Sequence, residues 1–186
     1  MKLTNNFTNC FWTTLVYCFC YFNSFLFAQE TNLYRFIYEG HNEKIKTALC
    51  YNTKTNLAEI SKVSSNEFSR VKGYLDAFIL YGVPNEKGRV FITSAKAPEF
   101  FLKANSKTNE VTFDKITKDS NLEPFKWEFV LNRETDGSII SLQTIVKNKF
   151  AIKKENERAI IANRLGAKSS DNQNFSFRLE QIVNVF

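Results

Sequence analysis

The chain has 186 residues, 44% of them hydrophobic and 15% aromatic, with 19 Phe, 6 Gly, 3 Pro and a net charge of +6. Such a composition excludes a disordered chain, which is poor in aromatics, and a Gly/Pro-rich fibrous one. With His41 as the single histidine, it also excludes any site built from several imidazoles.

The first 28 residues read as a segment apart. Lys2 lies near the start, and Phe11 to Ala28 is a nearly uninterrupted apolar and aromatic run that ends before Gln29 and Glu30. This is the pattern of a secretory signal peptide cleaved after Ala28, which would leave 29–186 as one secreted, extracellular domain. An uncleaved membrane anchor or a strand-forming N-terminus are the other readings; Thr13, Thr14, Asn23 and Ser24 spot the run with polar groups and shorten it as a span. Cys10, Cys18 and Cys20 fall in this leader, so Cys50 would be left without an intrachain partner. Cys50 then reads either as a small buried apolar residue, the more frequent situation, or as a thiol that pairs between chains.

From Leu33 onward apolar residues recur at every second position, the period of a strand with one buried face. The spacing predicts twelve strands: 33–38, 45–51, 57–63, 75–81, 89–94, 100–103, 110–116, 126–131, 138–144, 150–153, 159–162 and 174–179. Turn signals separate them at Glu39 to Asn42, Pro84 to Gly88, Thr135 to Gly137 and Gly166 to Asp171. Helical periodicity is not sustained; the best short candidate is Asn66 to Lys72.

A repeat organises the second half. Val90, Ile92, Ser94, Phe100 and Leu102 meet Ile140, Leu142, Thr144, Phe150 and Ile152 at a shift of 50, as Val111 meets Ile161. The offset then slips by two, so that Trp127 and Phe129 meet Phe175 and Phe177. With Phe78 lying 49 residues before Trp127, the sequence places Phe78, Trp127 and Phe175 in one core layer. Twelve strands in three units, about 33–84, 85–134 and 135–182, predict an all-β protein of the β-trefoil class. A jelly roll or sandwich is the alternative, but neither accounts for the recurrence.

Ala97 to Leu179 resembles the C-terminal two thirds of the interleukin-1 family of cytokines. The likeness is carried by Glu99 to Leu102, Glu110 to Ile116, Lys126 to Arg133, Leu142 to Thr144, the Phe150-Ala151-Ile152 strand and Asn174 to Phe177. Where that family has a Pro-Gly-Trp-like turn, this chain has Val146 to Lys149, and Leu33 to Val83 does not align with it. Gly88 to Ser94 and Phe150 to Lys154 are similar to strands of the fibroblast growth factor family, with Gly166 to Ser169 where that family has its heparin loop. These resemblances imply a β-trefoil that binds an extracellular receptor protein, with a sulfated glycan as the other partner.

Charge and chemistry complete the expectation. Lys147, Lys149, Lys153, Lys154, Arg158, Arg164 and Lys168 face only Glu155 and Glu157 within the same segment, a density that suits a polyanion or an acidic partner surface. Lysines in turns also keep exposed strand edges soluble. No aromatic-interleaved basic motif points to nucleic acid, and a monomer is expected. Asp and Glu are dispersed, so the residues point to no catalytic group, no metal site and no cofactor; Asp114 and Asp119 read as a strand and a turn residue, and His41 as a turn residue. Asn174-Phe175-Ser176 is an N-glycosylation sequon on the final strand. The Gln-x-Trp signature of lectin-type trefoils is absent, Trp127 following Phe125-Lys126, and no loop stands out as a protease-inhibitor bait. The expected function is therefore binding without catalysis: a secreted, cytokine-like ligand of a cell-surface protein, or a heparin- or glycan-binding protein that uses 147–168.

Overall fold

The computed structural model describes residues 32–40, 45–63, 74–131, 139–164 and 173–182, all within one compact unit. Thirteen strands form among them: β1 (Leu33–Tyr38), β2 (Thr47–Asn52), β3 (Leu57–Lys62), β4 (Tyr74–Leu75), β5 (Phe78–Gly82), β6 (Arg89–Ser94), β7 (Ala97–Ala104), β8 (Val111–Lys115), β9 (Trp127–Leu131), β10 (Ile139–Thr144), β11 (Phe150–Glu155), β12 (Arg158–Asn163) and β13 (Phe177–Ile182). Alternation explains most of them. In β8, Val111 and Phe113 are buried while Thr112 is only half so, and in β12 Ala159 and Ile161 are buried between more exposed neighbours. β2 is buried along its whole length. Its Leu49 and Tyr51 join the main core, while Ala48 and Cys50 pack with Ile37 and Val63 on the opposite face.

The strands hydrogen-bond into one antiparallel sheet. The pairings β1–β5, β5–β6, β6–β9, β9–β10, β10–β13 and β13–β1 return to their starting strand, so the sheet closes into a barrel. Closure removes the unpaired edges that would otherwise recruit other chains. The remaining hairpins, β2–β3, β7–β8 and β11–β12, meet one another at one end.

That meeting is cyclic. The buried amide of Phe113 donates to the Asn56 carbonyl (2.7 Å), that of Ile161 to the Asn109 carbonyl (2.8 Å), and that of Ile60 to the Glu157 carbonyl (2.8 Å). Each hairpin turn thus satisfies a buried donor on the next hairpin, a group that would be costly to leave unpaired. Asn56 and Asn109, which supply two of those carbonyls, and Asn156, just before the third at Glu157, take left-handed backbone angles, with φ of 58°, 61° and 57°. Asparagine tolerates that region better than other residues with a side chain. Two of the turns are built alike: Asn52 Oδ1 accepts from the Lys54 amide and Asn105 Oδ1 from the Lys107 amide, both at 3.0 Å.

The sequence-based expectation needs correction here. The chain is all-β, but not as the expected twelve-stranded β-trefoil of three pseudo-repeats: thirteen strands join in a single sheet closed into a barrel. The predicted 75–81 strand divides into β4 and β5 at Asp76 and Ala77. Asp76 is buried there against Arg35, the two side chains 2.9 Å apart, and an ion pair taken out of water holds its place only with close geometry. The slip expected at the last strand is also absent. β5, β9 and β13 open on Phe78, Trp127 and Phe177, all fully buried in the main core. Trp127 there donates its indole N–H to the Leu102 carbonyl at 3.0 Å. Phe125 and Phe175 close the short turns before β9 and β13, so these last strands correspond at a shift of 50 and Phe177, not Phe175, is the layer partner of Trp127; a slip of two falls instead on β8 and β12, where Phe113 and Ile161 hold corresponding places. The expected signal peptide at 1–28, the helical turn at Asn66 to Lys72, and the turns at 135–137 and 166–171 lie outside the described residues.

The conformational demand at the hairpin turns is testable where no side-chain bond confuses it. Asn156→Ala is expected to cost about 1 kcal/mol, because alanine pays for a positive φ, while Asn156→Gly is expected to stay within about 0.5 kcal/mol of wild type. Urea unfolding midpoints at unchanged slope measure both; equal stability of the two variants would contradict the assignment.

Candidate functional site

The basic segment folds as β11, β12 and the residues beside them. The register Phe150↔Asn163 to Glu155↔Arg158 sets the pattern. Side chains alternate between faces, so Ile152, Ala159 and Ile161 enter the core while Lys153 shares the other face with Arg158 and Ile160. Lys149 and Arg164 extend this pair, joined by a bond from the Arg164 amide to the Lys149 carbonyl (2.9 Å).

The cations predicted from the sequence do not act as one set. Lys147 is committed within the fold: its Nζ donates to Asn109 Oδ1 (2.9 Å), lies 3.5 Å from the Ser106 carbonyl and sits 4.2 Å from the Phe150 ring centroid. Lys154 lies on the core side and places its Nζ 5.5 Å from the Tyr38 ring centroid. Arg158 is largely exposed, with a loose 3.8 Å approach to Glu110. Lys149, Lys153 and Arg164 carry no ion pair among the described residues, and Lys168 lies outside them. The usable surface is thus narrower than the sequence suggested: Lys153 on the non-core face of β11, Lys149 and Arg164 at the open end of the hairpin, and Arg158 beside its turn. Lys149 precedes β11 in a turn, with a left-handed φ of 67°.

Several acidic groups elsewhere are held by partners. Asp114 accepts from Lys103 Nζ at 2.8 Å, and that bond holds its carboxyl below the usual carboxylate range. Lys126 reaches Glu86 at 2.5 Å and Glu123 at 2.6 Å. With Arg89 also on Glu86, these bonds lower the Glu86 carboxyl. Asp119 is exposed in the turn that Thr117 and Ser120 close. Among the described residues no group of three or more His, Cys, Asp or Glu side chains is placed to hold a metal ion. His41 lies outside the described residues.

Asn174 sits half-buried in the turn before β13, its carbonyl accepting from the Tyr38 hydroxyl at 3.4 Å. Phe175 and Ser176, the rest of its sequon, are buried. Cys50 is buried too, its thiol donating to the Ala48 carbonyl at 3.4 Å. Loss of solvent, and then the negative charge of Asp76, push its pKa up to about 12. What sequence reasoning missed lies at the hairpin turns. Asn52 to Asn56 reads NTKTN and Asn105 to Asn109 reads NSKTN, a match in the very third of the chain that the strand residues alone leave unaligned.

A closed all-β barrel with a charged hairpin flank defines the class. No family model matches the sequence, and no curated protein matches it. Among solved structures the chain is similar to Cry35Ab1 (TM-score 0.59, 14% identity), over 84% of this chain and 37% of that one. It is also similar to a GlcNAcα1-4Gal-releasing endo-β-galactosidase from Clostridium perfringens (TM-score 0.59, 13% identity), over 82% of this chain and 33% of that one. A third likeness is to the BEL β-trefoil (TM-score 0.57, 12% identity), over 83% of this chain and 95% of that one. The neighbours thus include β-trefoil proteins, and at these identities the likeness concerns fold alone. The chain spans about a third of the first two structures and nearly the whole of the third.

The buried thiol gives a direct test. Cys50 is expected to resist a soluble thiol reagent at pH 8 in the native protein and to react at once in denaturant. Because its folded pKa lies above the ordinary 9.0, the thiol's contribution to stability is full below pH 9 and declines as pH rises from there toward 12. Fast labelling of the native protein at neutral pH would contradict this burial.

Proposed function

We propose that the chain is a non-catalytic binding module of the extracellular space, whose outward β11–β12 face contacts a sulfated or otherwise anionic glycan. The observation that carries the reading is the set Lys149, Lys153 and Arg164, which belong to one hairpin, Lys149 and Arg164 bonded across its open end, and lack an ion pair among the described residues. Cations left without internal partners attract a polyanion over a range set by ionic strength. The neighbours add support at the level of architecture, since the same fold makes up about a third of an enzyme that acts on a glycan.

A second reading keeps the premise of binding without catalysis and makes the partner a receptor protein, as the interleukin-1-like strands imply. The observation in its favour is that Tyr81 and Leu131 are large apolar side chains left 46% and 59% exposed. Isolated exposed residues of this kind are ordinary on a protein surface, so the cationic face is the stronger ground.

Retention on immobilised heparin separates the two. Wild type is expected to elute only at raised salt. Lys153→Glu with Arg164→Glu is expected to weaken binding roughly tenfold, given that exposed charge contacts are worth up to about 1 kcal/mol each. A control with the same change in net charge, Lys87→Glu with Lys118→Glu, is expected to elute near wild type. Equal loss in both double variants would reduce the interaction to net charge, and elution of wild type at low salt would remove the glycan reading.

A further inference from the structure

The turn that joins β10 to β11 is anchored at both ends. Val146 and Phe150 pack against the main core, while Asn148 and Lys149 between them are exposed. The Phe150 amide donates to the Lys147 carbonyl at 3.0 Å and closes a four-residue turn. Lys149, its third residue, holds a φ of 67°. A side chain with a Cβ is disfavoured in that region, and lysine keeps such a conformation only where its surroundings impose it.

Lys147 supplies the constraint. Its Nζ donates to Asn109 Oδ1 at 2.9 Å, lies 3.5 Å from the Ser106 carbonyl and sits 4.2 Å from the Phe150 ring centroid. The accepting turn is held in its own right, because the Asn109 carbonyl takes the Ile161 amide of β12 at 2.8 Å. Asn109 therefore grips this hairpin twice, by its carbonyl at β12 and by its side chain at the turn before β11. We propose that Lys147 is a positioning residue for the anion-binding end of the hairpin: it touches no glycan, but fixes the turn that presents Lys149 and Arg164. Arg164 is included because its amide donates to the Lys149 carbonyl at 2.9 Å, so the two cations share one piece of backbone geometry. An ammonium already shared among an amide oxygen, a carbonyl and a ring face would have to give up those contacts to meet a sulfate. A turn free to move would have to be ordered on binding; one held beforehand avoids that cost.

This role rests on the reading of the chain as a glycan-binding module, and it predicts the opposite of a count of charges. Asn109→Gly removes the Oδ1 acceptor, leaves net charge unchanged and tolerates the φ of 61° at that position. It also frees Lys147, so charge alone predicts equal or tighter retention on immobilised heparin. Positioning predicts weaker binding, by roughly fivefold, the worth of about one exposed charge contact. Lys147→Met, which removes the donor, is expected to lose as much. Lys147→Arg, which keeps a donor, and Lys118→Met, which removes one charge elsewhere, are expected to stay within about twofold of wild type. Amide spectra check the barrel: in Asn109→Gly the shifts are expected at 105–110, 147–150 and 163–164, with Ile60 and Phe113 in place. Retention of Asn109→Gly at or above the wild-type level overturns the positioning role and leaves the cationic face standing, as does an equal loss in Lys118→Met. Shifts spread through the barrel overturn it too, since the clasp would then be a general element of stability. Elution of wild type at low salt removes the glycan reading itself, and this role with it.

Discussion

Three carbonyl groups hold this barrel shut at one end. The Asn56, Asn109 and Glu157 oxygens each take the amide of a buried residue on the following hairpin, Phe113, Ile161 and Ile60 in turn. None of the three hairpins could bury those residues alone, because each would leave a main-chain donor unpaired in an apolar setting. The closure is collective, and the left-handed asparagines are its local cause: they turn the carbonyls outward from their own hairpin toward the next. Side chains reinforce the arrangement at two of the turns, since Tyr51 donates to Asn56 Oδ1 at 2.8 Å and Lys147 to Asn109 Oδ1 at 2.9 Å. One of the apparent surface cations is thus part of the clasp.

Much of the fold was legible in the sequence because alternation is a local signal. β1 and β6 coincide with the predicted spans, and most other strands differ by one to three residues at an end. What escaped was non-local. The break between β4 and β5 falls at the buried Arg35–Asp76 pair, which joins positions 41 residues apart and leaves no trace in periodicity. The slip assigned to the last strand arose because Phe175 and Phe177 are both aromatic and both buried; only register, with Phe177 opposite Tyr38 and Ile140, identifies which one lies in the barrel layer. The resemblance between NTKTN and NSKTN was present all along, but polar turn residues carry no weight in a search for apolar repeats.

The candidate site was legible as a charge excess and illegible as a surface. Seven cations in one segment look equivalent in a sequence, yet strand register sends Lys154 toward the core side and leaves Lys153 on the other face. Lys147 is drawn into a turn 38 residues away. One hairpin thus closes the barrel with its turn and carries Lys153 and Arg158 on its other face.

The measurement that bears most directly on this account is a titration of isotope-labelled protein with a sulfated oligosaccharide, followed by amide chemical shifts. The account predicts shifts concentrated at Lys149, Lys153, Arg164 and their strand neighbours in β11 and β12, diminishing as salt is raised. Shifts centred instead on Tyr81 and Leu131, or none at all, would contradict it.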